Sequence, residues 1–121
     1  MNLVYSQVKS MCRLIVLILI ILILQWNARS LIANGQDFKQ FIVSRGEKPD
    51  IVCIQESWLK PNLDFVLHGY VTVRRDRIEG AGGGCITFIK QGIPYRVLGI
   101  GREQEYVVVE MWAGKEVTIV N

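Results

Sequence analysis

Histidine is almost missing from this chain, and its scarcity narrows the chemistry at once. His68 is the only one among 121 residues, it stands beside Gly69 in a turn-like stretch, and no nucleophile or carboxylate is spaced to make it a catalytic base. Cysteine is scarce and odd in number. Cys12, Cys53 and Cys85 lie far apart, which suits neither a disulfide framework nor a zinc site. Cys53 and Cys85 fall inside apolar runs and read as reduced, buried, structural thiols, a usage that fits an intracellular compartment. An excess of one charge is missing where it would matter. Residues 1–30 hold Lys9, Arg13 and Arg29 with no acid, whereas residues 31–121 hold eleven basic and eleven acidic side chains. The formal charge of +3 therefore belongs to the amino-terminal segment, and net charge gives no argument for DNA binding.

A full membrane-spanning run is also lacking. Leu14 to Leu24 are eleven consecutive aliphatic residues preceded by Lys9 and Arg13, short of the roughly 20 that a spanning helix needs. The run has the shape of a signal peptide, without an A-x-A-like cleavage site after it. Its second half, from Ile20, leads directly into Gln25-Trp26-Asn27, so that part reads by preference as a fully buried strand ending near Trp26. A targeting helix would shorten or remove that strand. Residues 1–19 are accordingly taken as a leader or hydrophobic amino-terminal segment, and 20–121 as one α/β domain with a single core.

What is present is a strand, a helix and a second strand, then a series of strands. After Trp26 the stretch from Asn27 to Asn34 is polar and turn-like, and Asn34 or Gly35 is the expected helix cap. Phe38, Phe41 and Ile42 recur at helical spacing, and Gly46 and Pro49 stop the helix near Arg45. Asp50 to Gln55 is apolar on both faces, as a central strand should be. The order strand, helix, strand makes a βαβ unit with parallel neighbours. Tyr70–Arg75, Cys85–Lys90, Tyr95–Leu98, Tyr106–Trp112 and Glu116–Val120 follow as strands, the last two joined by a hairpin at 113–115. The run Gly80-Ala81-Gly82-Gly83-Gly84 lacks the Lys-Ser/Thr of a P-loop and reads as turn chemistry.

The parallel pair brings Asn27 and Glu56 to one edge of the sheet, at the carboxyl ends of strands where ligands bind in open α/β sheets. Glu56 directly follows a buried strand, and a rigidly held carboxylate suits Mg²⁺, which takes one or two carboxylates together with water and substrate phosphate. A merely solvated strand-end acid is the plainer alternative. Asn27 could bond a phosphate oxygen or orient a water, or could simply form a turn. Arg74, Arg75 and Arg77 around Asp76 make a local basic patch able to contact phosphates, or a solvated strand end.

Taken together, Gln25-Trp26-Asn27-Ala28-Arg29-Ser30-Leu31, Lys48-Pro49-Asp50-Ile51-Val52-Cys53-Ile54-Gln55-Glu56-Ser57-Trp58-Leu59, Gly69-Tyr70, Arg75-Asp76-Arg77 and Gly82-Gly83-Gly84 resemble the endonuclease/exonuclease/phosphatase superfamily. The version they resemble is the amino-terminal endonuclease of non-LTR retrotransposons of the jockey type, over roughly residues 20–121. The resemblance implies a four-layered α/β sandwich of the DNase I-like type, of which this chain is the first half. It also implies Mg²⁺- or Mn²⁺-dependent cleavage of a DNA phosphodiester by an activated water, in a protein that works in the nucleus. By position, Glu56 matches the metal-binding glutamate and Asn27 the active-site asparagine, while Arg75 and Arg77 would help seat the DNA backbone. In that family the later half supplies a tyrosine, an Asp-x-Asn pair and an Asp-His. The sequence ends at Thr118-Ile119-Val120-Asn121, just before the tyrosine segment would begin. The expectation is thus a fragment without meaningful nuclease activity alone, of marginal stability, with weak or lost DNA binding and possible self-association through exposed strand edges. Two alternatives stand beside it. One is a membrane-tethered or secreted binding module using residues 14–24 for targeting. The other is a phosphoinositide phosphatase or nucleotide exonuclease of the same superfamily.

Overall fold

The computed structural model describes residues 2–3 and 21–121. Its elements in order are β1 (Asn2–Leu3), β2 (Ile23–Asn27), α1 (Leu31–Ser44), β3 (Ile51–Gln55), β4 (Tyr70–Arg75), β5 (Cys85–Lys90), β6 (Tyr95–Ile100), β7 (Val107–Trp112) and β8 (Glu116–Val120). They form a five-stranded sheet ordered β1-β2-β3-β5-β4 and a three-stranded sheet ordered β6-β7-β8. Among the described residues only β2 and β3 are parallel, with α1 as their crossover; the other pairs are antiparallel. The expected βαβ unit is present, and so is the β7–β8 hairpin at 113–115, which pairs Trp112 with Glu116.

Strand β3 shows why the larger sheet is central. Its side chains alternate between two cores: Val52 and Ile54 point to one, Ile51 and Cys53 to the other. Strand β5 does the same, with Ile86 and Phe88 on the first face and Cys85 and Ile89 on the second. A period of two with both positions apolar requires a layer on each side. The first face is covered by α1 through Leu31, Phe38 and Ile42, each worth about 1.5–3 kcal/mol when fully buried. Trp26 stacks on Phe38 with ring centroids 4.9 Å apart. The second face is covered by Val107, Val109 and Met111 of β7. The described residues thus stack as three layers, helix on sheet on sheet.

The helix begins earlier than its sequence suggests, and this corrects the expected turn from Asn27 to Asn34. Ser30 caps α1, its Oγ accepting from Ala33 N at 3.2 Å. Asn34 lies inside the helix and points back, its Nδ2 donating to the carbonyls of Ala28 (2.9 Å) and Arg29 (3.0 Å). Gly35 is also internal. A Cβ there would stand 2.3 Å from the Phe65 ring, so glycine answers to packing at that position and not to a helix end. The carboxyl end matches the expectation, with Arg45 as the capping residue. Lys48 Nζ secures it by donating to the carbonyls of Ile42, Val43 and Arg45 at 2.7–2.9 Å, a cation placed at the negative end of the helix dipole.

Of the aliphatic run, residues 14–20 lie outside the described residues, while Ile23 and Leu24 belong to β2. Within the leader, Asn2 and Leu3 pair with Gln25 and Leu24 as an edge strand. No helix among the described residues is long and apolar enough to cross a membrane.

Candidate active site

The register of β2 and β3 sets Asn27 opposite Gln55, so Glu56 is the first residue beyond the sheet on the strand next to Asn27. The chain leaves both strands through left-handed backbone: Arg29 (φ 45°) and Ser30 (φ 87°) after β2, Glu56 (φ 54°) and Trp58 (φ 57°) after β3. Such conformations cost non-glycine residues on the order of 1–3 kcal/mol each, and they persist where the surroundings over-determine them. Here a backbone zipper does so. Ala28 N donates to Gln55 O (2.9 Å), Ser30 N to Glu56 O (3.0 Å) and Leu31 N to Ser57 O (2.9 Å). On the other side Ser57 N donates to Gly84 O (3.2 Å) and Trp58 N to Gly83 O (2.8 Å). Three loops, following β2, β3 and preceding β5, are locked edge to edge around Glu56.

The glycine run therefore has a structural task at the site. Gly82, Gly83 and Gly84 all have positive φ. A Cβ on Gly84 would fall 2.5 Å from Ser57 Oγ. That hydroxyl is fully buried and has no hydrogen-bond partner.

The Glu56 carboxylate is held at one oxygen. Oε2 accepts from Trp58 Nε1 at 2.7 Å and from Gly83 N at 3.2 Å. Oε1 has no hydrogen-bond donor among the described residues, which leaves it available to a cation. No group of three or more His, Cys, Asp or Glu side chains that could hold a metal exists among the described residues. The donor set is therefore one carboxylate with an exposed asparagine on the adjacent strand. That set fits Mg²⁺ or Mn²⁺ bound chiefly by water and substrate oxygens, and it does not fit a cage built from protein alone.

The basic residues are arranged differently from a free patch. Arg74 forms a fork with both oxygens of Asp76, the closest contact being 2.8 Å. Arg75 donates to the carbonyls of Asp76, Gly101 and Arg102. Arg77 pairs with Glu105 through Nε (2.7 Å) and Nη2 (3.1 Å) and donates Nη1 to Ala81 O (2.8 Å). The hydrogen bond to Arg77 lowers the Glu105 pKa, and the same bond raises that of Arg77. Arg75 and Arg77 thus bind two loops to each other. Together with Arg102, Glu79, Glu103 and Glu105 they line an open cleft of about 630 Å³, of mixed charge. Lys60 reinforces the same loop by donating to Arg77 O and Gly80 O.

The remaining nucleophile candidates stand apart. Burial pushes the thiols of Cys53 and Cys85 up to about 11, which leaves them protonated and inert at neutral pH. Cys12 lies outside the described residues. His68 precedes Tyr70, which pairs with Lys90 at the end of the sheet where β3 starts, so it is at the opposite edge from Glu56. Sequence reasoning missed Trp58 and Ser30 as site-shaping residues. Trp58 follows Glu56 by two positions, and Ser30 sits three residues before Ala33, the backbone N–H that it caps; those spacings were the available signals.

No family model matches the chain, and no curated protein matches it. Among solved structures it is similar to the crystal structure of AP endonuclease LMAP from Leishmania major, with a TM-score of 0.65 and 22% sequence identity over 82% of this chain and 38% of that one. The chain thus spans well under half the length of that structure. A likeness at this identity shows a shared fold.

Proposed function

We propose that this chain is the metal- and phosphate-binding part of a Mg²⁺-dependent phosphodiesterase of the endonuclease/exonuclease/phosphatase superfamily. Its substrate on this reading is DNA, and the protein belongs to the retrotransposon branch that the Trp26-Asn27-Ala28-Arg29-Ser30-Leu31 wording resembles. The four-layered sandwich and a nuclear place of action are parts of the same reading. The observation that carries it is the parallel register of β2 and β3, which delivers Asn27 and Glu56 to one strand-end edge, in a fold shared with an AP endonuclease. A cation bound at Glu56 would neutralise charge on a phosphoryl oxygen. Asn27 would bond the phosphate, and Trp58 and Gly83 would fix the carboxylate. Arg75 and Arg77, engaged as they are with Glu105 and backbone carbonyls, would seat the DNA backbone by shaping the cleft more than by direct pairing.

Glu105, the acid that reaches the Gly83-Gly84 loop beside Glu56, is engaged in its pair with Arg77, and His68 lies at the opposite end of the sheet. The 121-residue chain alone is therefore expected to bind Mn²⁺ through Glu56 and to leave supercoiled DNA uncut. A metal-dependent nicking assay on the wild type and Glu56→Ala is the test. Robust nicking abolished in the variant would overturn the inactivity, and metal binding indifferent to the variant would overturn the role of Glu56.

A further inference from the structure

Beside the candidate site runs a chain of amides that crosses from one sheet to the other. Gln25, Asn27 and Gln55 share a face of the larger sheet, because Gln25 and Asn27 are two apart on β2 and Asn27 is opposite Gln55. Gln25 Nε2 donates to Gln55 Oε1 (2.5 Å), and Gln55 Nε2 donates to Asn121 Oδ1 (2.7 Å). Asn121 Nδ2 then donates to Ile86 O (2.8 Å), Thr87 Oγ1 (3.2 Å) and Ile54 O (3.4 Å). Thr87 is fully buried. The Asn121 backbone is itself fixed, exchanging hydrogen bonds with Val107 at 2.8 and 2.9 Å. Asn121, the residue that follows β8, therefore ties β3 to β5 directly and reaches β2 through Gln55, at the position immediately before Glu56.

Amides half-buried between two sheets are costly to leave unpaired. Each of these three amide nitrogens donates a hydrogen bond, and the set lies where a single-carboxylate metal site depends on where its strand end is held. We propose that Gln55 and Asn121 are positioning residues for the cation site at Glu56. Gln55 is adjacent to Glu56 in the chain, and its amide is clamped on one side by Gln25 and on the other by Asn121. With the clamp in place, the left-handed turn at Glu56 starts from a fixed strand end. Without it, β3 is free to shift at its last residue and the carboxylate loses the orientation that Trp58 and Gly83 give it. The inference rests on the reading of Glu56 as a cation ligand.

The test is a Mn²⁺ titration of the full chain followed by electron paramagnetic resonance of the free ion, with thermal unfolding measured in parallel. The variants are Glu56→Gln, Asn121→Ala, Gln55→Met, the last two combined, and Val109→Ala. Gln55→Met keeps the volume of the side chain and so remains folded even if Asn121→Ala does not. Glu56→Gln should remove the site. Asn121→Ala and Gln55→Met should each weaken binding roughly tenfold, the lower end for groups that orient a metal ligand, and the combination should be little worse than either alone. Val109→Ala, a buried truncation in the smaller sheet, should lower the melting temperature and leave the affinity within about twofold. Unchanged affinity in Gln55→Met, or a loss in Val109→Ala equal to that in Asn121→Ala, would overturn the positioning role while leaving Glu56 as the ligand. Binding that survives Glu56→Gln would overturn both.

Discussion

At the scale of single residues, the candidate site turns on the two hydrogen bonds that fix one oxygen of the Glu56 carboxylate. Trp58 is partly exposed, at 43%, yet its indole N–H is committed to Glu56 Oε2. Trp58→Phe keeps an aromatic side chain and removes the donor, so on the proposed reading of Glu56 as a cation ligand Mn²⁺ affinity should fall by about tenfold with little change in the unfolding midpoint. Unaltered affinity would show that Gly83 N–H suffices. Ser57 and Gly84 make a second pair with opposite expectations. The Ser57 hydroxyl is buried without a partner, so Ser57→Ala removes an uncompensated polar group and should leave stability unchanged or slightly higher. Gly84→Ala places a methyl 2.5 Å from that hydroxyl at φ +85°, and should cost on the order of 1–3 kcal/mol in urea unfolding. In Ser57→Ala the steric part of that cost should shrink, a non-additivity that a double-mutant cycle reads directly.

Among the elements, α1 and the loops that flank it separate what is legible in sequence from what is not. The strands β3, β5 and β8 are readable because their side chains alternate or run apolar between turn signals, and the crossover of α1 makes β2 and β3 parallel. That was enough to bring Asn27 and Glu56 to one edge. The start of α1 was not readable, because Asn34 and Gly35 are the residue types that usually end or cap helices. Here Asn34 bonds back to the loop and Gly35 makes room for Phe65. Ser30 carries the cap at φ 87°, which gives a sharp expectation. Ser30→Ala loses the bond to Ala33 and keeps the strained backbone, costing about 1 kcal/mol or more. Ser30→Gly loses the same bond but relieves the left-handed strain, so it should be the milder change. Equal losses in thermal unfolding would argue that the cap alone matters. The partners of Arg75 and Arg77 were invisible for a different reason: Glu105 is 28 residues from Arg77 and no local pattern links them. Because Arg77 lowers the pKa of Glu105, the pair contributes stability that is present above the ordinary glutamate pKa of about 4.3. That contribution is lost as pH falls through the depressed folded value. Glu105→Gln should flatten the acid limb of the melting-temperature profile, and an unchanged limb would place the acid sensitivity elsewhere.

For the whole molecule, the distribution of exposed apolar residues is the governing feature. Among the described residues the larger sheet is covered on both faces and the smaller sheet on one. Its strand β6 leaves Val97, Leu98 and Ile100 between 42% and 48% exposed, and β8 leaves Val120 at 70%. Strand β8 pairs only with β7 among the described residues, so its outer edge offers unpaired backbone N–H and C=O groups. Proteins commonly protect such edges with charge or a bulge. The shift between Val97 and Gly99 gives β6 that protection, while β8 carries Glu116 at one end and the uncharged Val117-Thr118-Ile119-Val120 along the rest. An edge with apolar neighbours and little charge favours pairing with a second copy of the same strand. Sedimentation of the 121-residue chain should therefore show association that grows with concentration. Thr118→Lys, on the exposed face of β8, should reduce it without disturbing the core formed by Val107, Val109 and Met111. A chain that stays monomeric with a sharp, concentration-independent thermal transition would refute the expectation. Association that persists in Thr118→Lys but disappears in Leu98→Lys would transfer it to β6. The two variants thus assign the interface to one edge of the smaller sheet by a direct measurement of mass.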